Sequence, residues 1–320
     1  MAGAAKLGAS AALVAVLVTF AVTFAHTASA QCRNWSEGVS VGRLDTAKLP
    51  EASGVATSRT FPGRLYHVND SGDGPFFYMT DLHGGNTETV RIEGFDAKDA
   101  DVEALGIGPC RVGSCLFIGD IGDNHSTRES VRVLVVEEKR DYGGAVRPLQ
   151  ALTLIYPDGP HDAEGMAVHP NGDLYIVTKE RLPELRVSPV KLFRLERDGW
   201  EGGGDEAHTL SLVSEIDFRR LITSPLDVLS LVPTALDIAP DGSRVLILTY
   251  GNAYEFYTDL ATSSIGATAE LKAGYDYATI TLRRLPQQES ISYLPDGRSF
   301  IYTTESRGGK AELVRVDCLD

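Results

Sequence analysis

Along most of the chain apolar and polar positions alternate in short runs separated by Gly, Pro, Asn and Asp, the pattern of half-buried β-strands and their turns. Three stretches share one register. Glu164-Gly-Met-Ala-Val-His-Pro170-Asn171-Gly172 precedes Leu174-Tyr-Ile-Val-Thr178, Thr234-Ala-Leu-Asp-Ile-Ala-Pro240-Asp241-Gly242 precedes Val245-Leu-Ile-Leu-Thr249, and Glu289-Ser-Ile-Ser-Tyr-Leu-Pro295-Asp296-Gly297 precedes Phe300-Ile-Tyr-Thr-Thr304. Each predicts strand, tight turn, strand, and the first residue stands six positions before the proline every time. With that register as a ruler, Glu103-Ala-Leu-Gly-Ile-Gly-Pro109 before Leu116-Phe-Ile-Gly-Asp120 is a fourth copy, its turn replaced by the loop from Cys110 to Cys115. A fifth, Ser53-Gly-Val-Ala-Thr-Ser58, leads through Pro62-Gly63 into Leu65-Tyr-His-Val-Asn69-Asp70.

The register residues Ser53, Glu103, Glu164, Thr234 and Glu289 are separated by 50, 61, 70 and 55 residues, each interval long enough for four strands and a loop. Radial repetition of four-stranded sheets makes a β-propeller, so the expectation is an all-β chain of five blades. Only 31 residues follow Glu289, too few for another full blade. Six blades stay as the alternative, because the stretch from Lys179 to Val232 has room for an extra hairpin or a short helix such as Asp217 to Ile222. Val39-Ser-Val-Gly-Arg-Leu44 is expected to supply the missing outer strand of the last blade, the one that contains Phe300 to Thr304, since closing the ring with strands from both ends removes a free sheet edge.

Composition fits a large core, with 43% hydrophobic residues and 32 Gly and 15 Pro to make turns. A net charge of −14 opposes a phosphate backbone and excludes nucleic acid as the main partner. Residues 1–30 read as an export signal: Lys6, an apolar run from Ala11 to Phe24, then Ala28-Ser29-Ala30 as the cleavage pattern. The run is shorter than the roughly 20 residues a spanning helix needs. The expectation is therefore one propeller domain over residues 31–320, secreted or periplasmic, monomeric, and free of the membrane after cleavage. An oxidising compartment makes disulfides of the four cysteines. Three pairings are open, and Cys32–Cys318 with Cys110–Cys115 is the one that suits a circular fold, tying the chain ends together.

The innermost strand of each propeller blade lines the central channel, which sets the five register residues around one axis at one height. Three glutamates converging there repel one another unless a proton or a cation offsets their charge. Calcium accepts oxygen donors in irregular geometry, so Ser53, Glu103, Glu164, Thr234 and Glu289 are candidate Ca2+ ligands. The ring has no histidine or thiol, which disfavours zinc. The order Ser, Glu, Glu, Thr, Glu on five innermost strands resembles the calcium-activated apyrase family of blood-feeding arthropods and vertebrates. That resemblance implies a five-bladed propeller with calcium held in the channel at those five positions. Where the family carries Trp-Glu-Ser-His this chain has Ala163-Glu164-Gly165-Met166, so the likeness covers the architecture and the ring and not the substrate site. Asp101-Val-Glu-Ala with Ile118-Gly-Asp-Ile-Gly-Asp-Asn124 is similar to a group of uncharacterised bacterial secreted propellers, a likeness that implies no activity.

The second strand of each blade returns to the face where the register residues begin. It brings Asn69-Asp70, Asp120 with Asp123-Asn124, Lys179-Glu180, Tyr250 with Asn252, and Thr304-Glu305 to one mouth. Asp120 or Asp123 as base, Arg128 and Lys179 as cations and calcium as Lewis acid would make a hydrolase of a phosphoester or glycosidic substrate. The other class is a non-catalytic propeller that binds a glycan or protein partner, with calcium as a structural pin. No Gly-x-Ser-x-Gly elbow, His-Glu-x-x-His or phosphate loop occurs. His125 and His161 read as surface loop residues.

Overall fold

The Pro-Asx-Gly turns form for local reasons. Gly172, Gly242 and Gly297 take φ of 97°, 78° and 62°, a region that side chains rarely enter. Before them Asn171, Asp241 and Asp296 accept, on their side-chain Oδ1, the amide N–H two residues on, at 2.9, 3.0 and 2.8 Å. The structure is a computed structural model that describes residues 1, 3, 31–179, 189–204, 206–306, 309 and 311–320. The expected export signal, from Lys6 to its cleavage pattern at Ala28-Ser29-Ala30, lies outside the described residues, and so does Glu180.

Among the described residues twenty-two strands follow one another: β1 (Val39–Arg43), β2 (Ala52–Thr57), β3 (Arg64–Asn69), β4 (Phe76–Asp81), β5 (Glu88–Ile92), β6 (Val102–Cys110), β7 (Gly113–Asp120), β8 (Val131–Glu137), β9 (Ala145–Val146), β10 (Gln150–Ile155) and β11 (Ala163–Val168) make the first half. The second half is β12 (Leu174–Thr178), β13 (Val190–Leu195), β14 (Ala207–Thr209), β15 (Ser211–Ile216), β16 (Pro233–Ile238), β17 (Val245–Thr249), β18 (Ala253–Phe256), β19 (Tyr277–Ile280), β20 (Gln288–Tyr293), β21 (Ser299–Thr304) and β22 (Glu312–Asp317). They form five sheets, ordered from the inside outward β2-β3-β4-β5-β9, β6-β7-β8-β10-β14, β11-β12-β13-β15, β16-β17-β18-β19 and β20-β21-β22-β1. The inner strands β2, β6, β11, β16 and β20 touch in sequence, and β20 touches β2. The ring is closed.

Five apolar clusters hold it, each filling the gap between two adjacent blades. Phe117, Met166 and Phe193 belong to the cluster between the second and third sheets, and Tyr78, Ile301 and Leu313 to the one between the fifth and the first. As expected, the N-terminal strand closes the last blade: β1 runs antiparallel to β22, with Val39 opposite Arg315. Cys32–Cys318 and Cys110–Cys115 are the disulfides, with Cα atoms 5.7 and 5.8 Å apart. Two blades exceed the expected four strands. The two-residue β9 and three-residue β14 each add a short parallel strand to the outer edge of a sheet, covering edges that would otherwise be open. No sixth sheet forms among the described residues, and in place of a helix at Asp217 to Ile222 there is a single 3-10 turn, Phe218–Arg220, capped by the Asp217 side chain.

Candidate functional site

The five register residues are set apart by one repeated irregularity. Pairing of each inner strand with its neighbour steps from Ala52 to Gly54, Val102 to Ala104, Ala163 to Gly165, Pro233 to Ala235 and Gln288 to Ser290. The skipped residue is Ser53, Glu103, Glu164, Thr234 or Glu289, so a β-bulge lifts each of them out of the ladder. All five are buried. The residue that follows is small in every blade because the inner strands nearly meet there. A Cβ on Gly54 would lie 2.8 Å from the Leu105 nitrogen, and one on Gly165 2.7 Å from that of Leu236. The next residues, Val55, Leu105, Met166, Leu236 and Ile291, are buried members of the five inter-blade clusters and line the small cavity beneath the ring. That cavity is about 10 Å³, the room of one water or one ion. Anything larger is excluded from the space beneath the ring.

A second repeat builds that mouth. In each blade an amide just past the second strand donates to the carbonyl of the residue two before the register position. The bonds are Asp70 to Glu51 at 2.9 Å, Gly122 to Asp101 at 3.1 Å, Lys179 to Asp162 at 2.8 Å, Tyr250 to Val232 at 3.3 Å and Glu305 to Gln287 at 3.1 Å. Four blades thereby bring a polar side chain to the ring, and the second blade brings Gly122. A Cβ on Gly122 would fall 2.5 Å from Asp101 Oδ2 and 2.8 Å from Glu103 Cγ. Only glycine leaves that space open.

The ring divides into two halves. On one side Ser53 Oγ donates to Glu103 Oε2 at 2.8 Å, and carboxylate oxygens of Asp70, Asp101 and Glu103 lie within 4.8 Å of one another. On the other, Lys179 Nζ is ion-paired with Glu164 Oε1 and lies 3.3 Å from the Tyr250 hydroxyl, which donates to Glu289 Oε1 at 2.7 Å. Glu289 also hydrogen-bonds Glu305, whose Oε2 accepts from Gln287 at 3.1 Å. Thr234 turns its hydroxyl to the Gln288 carbonyl, 2.9 Å away. The expected symmetric set of five calcium ligands is thus drawn into partnerships with its neighbours, and Glu103 lies with Asp70 and Asp101 in a group of three acids.

Crowded acids beneath a partly dry mouth resist ionisation. Burial, then Glu164, Asp70 and Asp101, push the Glu103 carboxyl well above the usual carboxylate range. Asp101 is pushed up to about 6 by burial and by Asp70. Burial raises Glu164 to about 7 against the opposing pull of Lys179, and burial with the Glu305 hydrogen bond raises Glu289 to about 9.

Two residues expected to act as the base do not face the mouth. Asp120 is fully buried, its Oδ1 taken by Arg128 at 2.9 Å and the Asp101 amide, and its Oδ2 by Arg132 at 2.7 Å. Both of its oxygens are committed to these partners, and we correct its role to that of an anchor for the two arginines. Asp123, also buried, accepts the Arg128 amide at 2.7 Å and gives its own amide to Asp162 Oδ1 at 2.9 Å, which makes it a loop-holding residue. The Arg128 guanidinium spans Asp120 and the Gly122 carbonyl, and Lys179 is bound to Glu164. The reading of the sequence missed Asp101 and Asp162. Their signal was present, an aspartate two residues before the register glutamate in the second and third blades.

The arrangement is a five-bladed β-propeller with an acidic channel mouth. No protein-family model and no curated protein matches the chain. Among solved structures it is similar to a putative oxidoreductase (glucose dehydrogenase) from Thermus thermophilus, at 13% identity and a TM-score of 0.48 over 88% of this chain and 99% of that one. It is also similar to regucalcin, a calcium-binding protein of Agrobacterium tumefaciens, at 10% identity and a TM-score of 0.43 over 85% and 92%. A putative gluconolactonase matches at 10% identity and a TM-score of 0.42 over 88% and 92%. Likenesses this distant assign no activity. No helix among the described residues is long and apolar enough to cross a membrane.

Proposed function

We propose that the chain is an exported, calcium-dependent hydrolase acting at the channel mouth on a phosphoester. The observation that carries this reading is the gathering of Asp70, Asp101, Glu103, Asp162, Glu164, Glu289 and Glu305 around one opening where, among the described residues, the cations Arg128 and Lys179 are already paired with carboxylates. Such a mouth repels an anionic substrate until a cation is bound, so substrate binding depends on metal. The donors are all hard oxygens, which fits calcium and opposes zinc. Bound there, calcium would supply Lewis-acid polarisation of the phosphoryl oxygen. Glu164, oriented by Lys179, takes the proton of the attacking water, and Glu289, oriented by Tyr250, gives its proton to the leaving oxygen. One P–O bond forms and one breaks.

A second reading is favoured by the rim. Leu226, Val228 and Leu229 are exposed on the connector between β15 and β16, an apolar edge suited to a partner. On that reading the propeller is non-catalytic, binds a protein or glycan partner, and uses calcium as a structural pin. A panel of phosphoesters and glycosides, assayed with calcium and with chelator, separates the two. Calcium-dependent phosphoester turnover is expected; calcium binding without turnover of any substrate would leave the second reading.

A further inference from the structure

We propose that a cavity on the outer side of the ring, between the first and second blades, binds an organic anion: a carboxylate carried on a flat apolar body, with Arg132 as the partner of its charge. None of the lining residues belongs to the channel mouth, and the site needs no metal.

A strand exchange at the rim makes the cavity. β9 leaves the second blade to pair with β5 of the first, Ala145 opposite Arg91, and the chain then returns to the second blade as β10. Both sides of that crossing are tied down, the Glu93 amide donating to the Val146 carbonyl and the Leu149 amide to the Val135 carbonyl, each at 2.8 Å. The space left between the two blades is about 460 Å³, within the roughly 300 to 1,000 Å³ of small-molecule sites. Phe95, Leu134 and Leu149 give it an apolar lining. Leu134 belongs to the cluster between these blades and Phe95 packs against that cluster, whereas Leu149 is 51% exposed.

Charge decides what such a cavity takes. Two guanidiniums, of Arg132 and Arg147, line it against one carboxylate, that of Glu93. Arg147 and Glu93 approach only to 3.8 Å and are both more than half exposed, a pairing that solvent makes weak. Arg132 is held in place. Its Nε and Nη2 donate to the buried Asp120 Oδ2 at 2.8 and 2.7 Å, Nη2 reaches the Asp96 carbonyl at 3.4 Å, and the guanidinium lies over the Phe95 ring, 5.2 Å from its centroid. Its Nη1 has no partner among the described residues, and Asp120 is one carboxylate shared with a second guanidinium, that of Arg128. A planar fork with one nitrogen unused is fitted to a carboxylate, and the aromatic ring and leucines beside it are fitted to a flat apolar body. In a chain of net charge −14 an anion is drawn where the local balance is positive.

Calorimetric titration of the full chain with naphthoate, and with naphthamide, which has the same flat body and no charge, tests the site. Chelator is present throughout so that no cation at the mouth takes part, and far-ultraviolet circular dichroism confirms that each variant is folded. Wild type is expected to bind the acid saturably and the amide about tenfold more weakly. Leu149→Glu, which sets a carboxylate on the apolar lining, and Arg132→Lys, which keeps a charge on Asp120 and removes the fork, should each weaken naphthoate binding by about tenfold or more. Leu212→Glu, at an exposed position on β15 of the third blade, should leave it unchanged. Folded wild type without saturable binding overturns the site. Equal affinity for acid and amide overturns it too, since that is the behaviour of an apolar surface alone. Wild-type affinity in folded Leu149→Glu or in folded Arg132→Lys does the same, and if Arg132→Lys does not fold, Leu149→Glu carries the test alone.

Discussion

His67 is buried in β3 between adjacent strands, its Nε2 2.9 Å from Thr80 Oγ1 and its Nδ1 without a partner. Burial lowers its pKa from 6.5 to about 3. Above pH 6.5 the ring is neutral folded or unfolded and stability does not depend on it. Between pH 6.5 and 3 only the unfolded chain takes up the proton, so stability falls with pH at about 1.4 kcal/mol per unit from this residue. Urea unfolding at pH 7 and pH 5 should give a smaller pH difference in His67→Gln than in wild type; an identical difference would show that the proton goes elsewhere. At this scale the register residues were legible, because a glutamate on an apolar inner strand has no bland place to go. Asp101 and Asp162 were not read, since an aspartate just before a strand is also an ordinary turn former. The Lys179 to Glu164 pairing joins residues 15 apart across a bulge whose direction no pattern of alternation reveals.

Elements are locked to one another by a few buried polar bonds as well as by the apolar clusters. Arg244, before β17, meets Glu255 of β18 at 3.0 Å and the Gly297 carbonyl of the next blade at 2.6 Å, while Tyr293 of β20 donates to the same Glu255 oxygen at 2.6 Å. Both charged groups are almost fully buried. Replacing Glu255 by Leu leaves the guanidinium without its counter-charge and should cost about 3 to 5 kcal/mol, read from the shift in urea midpoint; a loss under about 1 kcal/mol would mean the pair contributes little. The strands themselves followed from the six-residue register and its turns. The added strands β9 and β14 did not, for they are two and three residues long and pair in parallel. Ala145 and Val146 even leave the segment that joins β8 to β10 to pair with β5 of the first blade. Nothing in so short a run distinguishes it from a loop.

The whole ring depends on joining its ends. Cys32 and Cys318 are 286 residues apart in sequence, β1 completes the sheet of β20 to β22, and the Leu319 amide donates to the Asn34 carbonyl at 2.8 Å. Closing so long a loop restricts the unfolded chain, and the double change Cys32→Ser with Cys318→Ser should lower stability by about 4 kcal/mol in urea. An unchanged midpoint would show that the strand ladder alone holds the closure. The central claim is that the mouth is acidic because a cation belongs there, and the most direct measurement is a thermal melt of wild type and of the double variant Asp101→Asn with Glu103→Gln, each with calcium and with chelator. A cation that binds only the folded state raises the melting temperature of wild type in calcium, and the variant loses that rise. If the acids were merely a repelling ring, wild type would melt at the same temperature in calcium and in chelator, and neutralising two of them would make the protein more stable without metal.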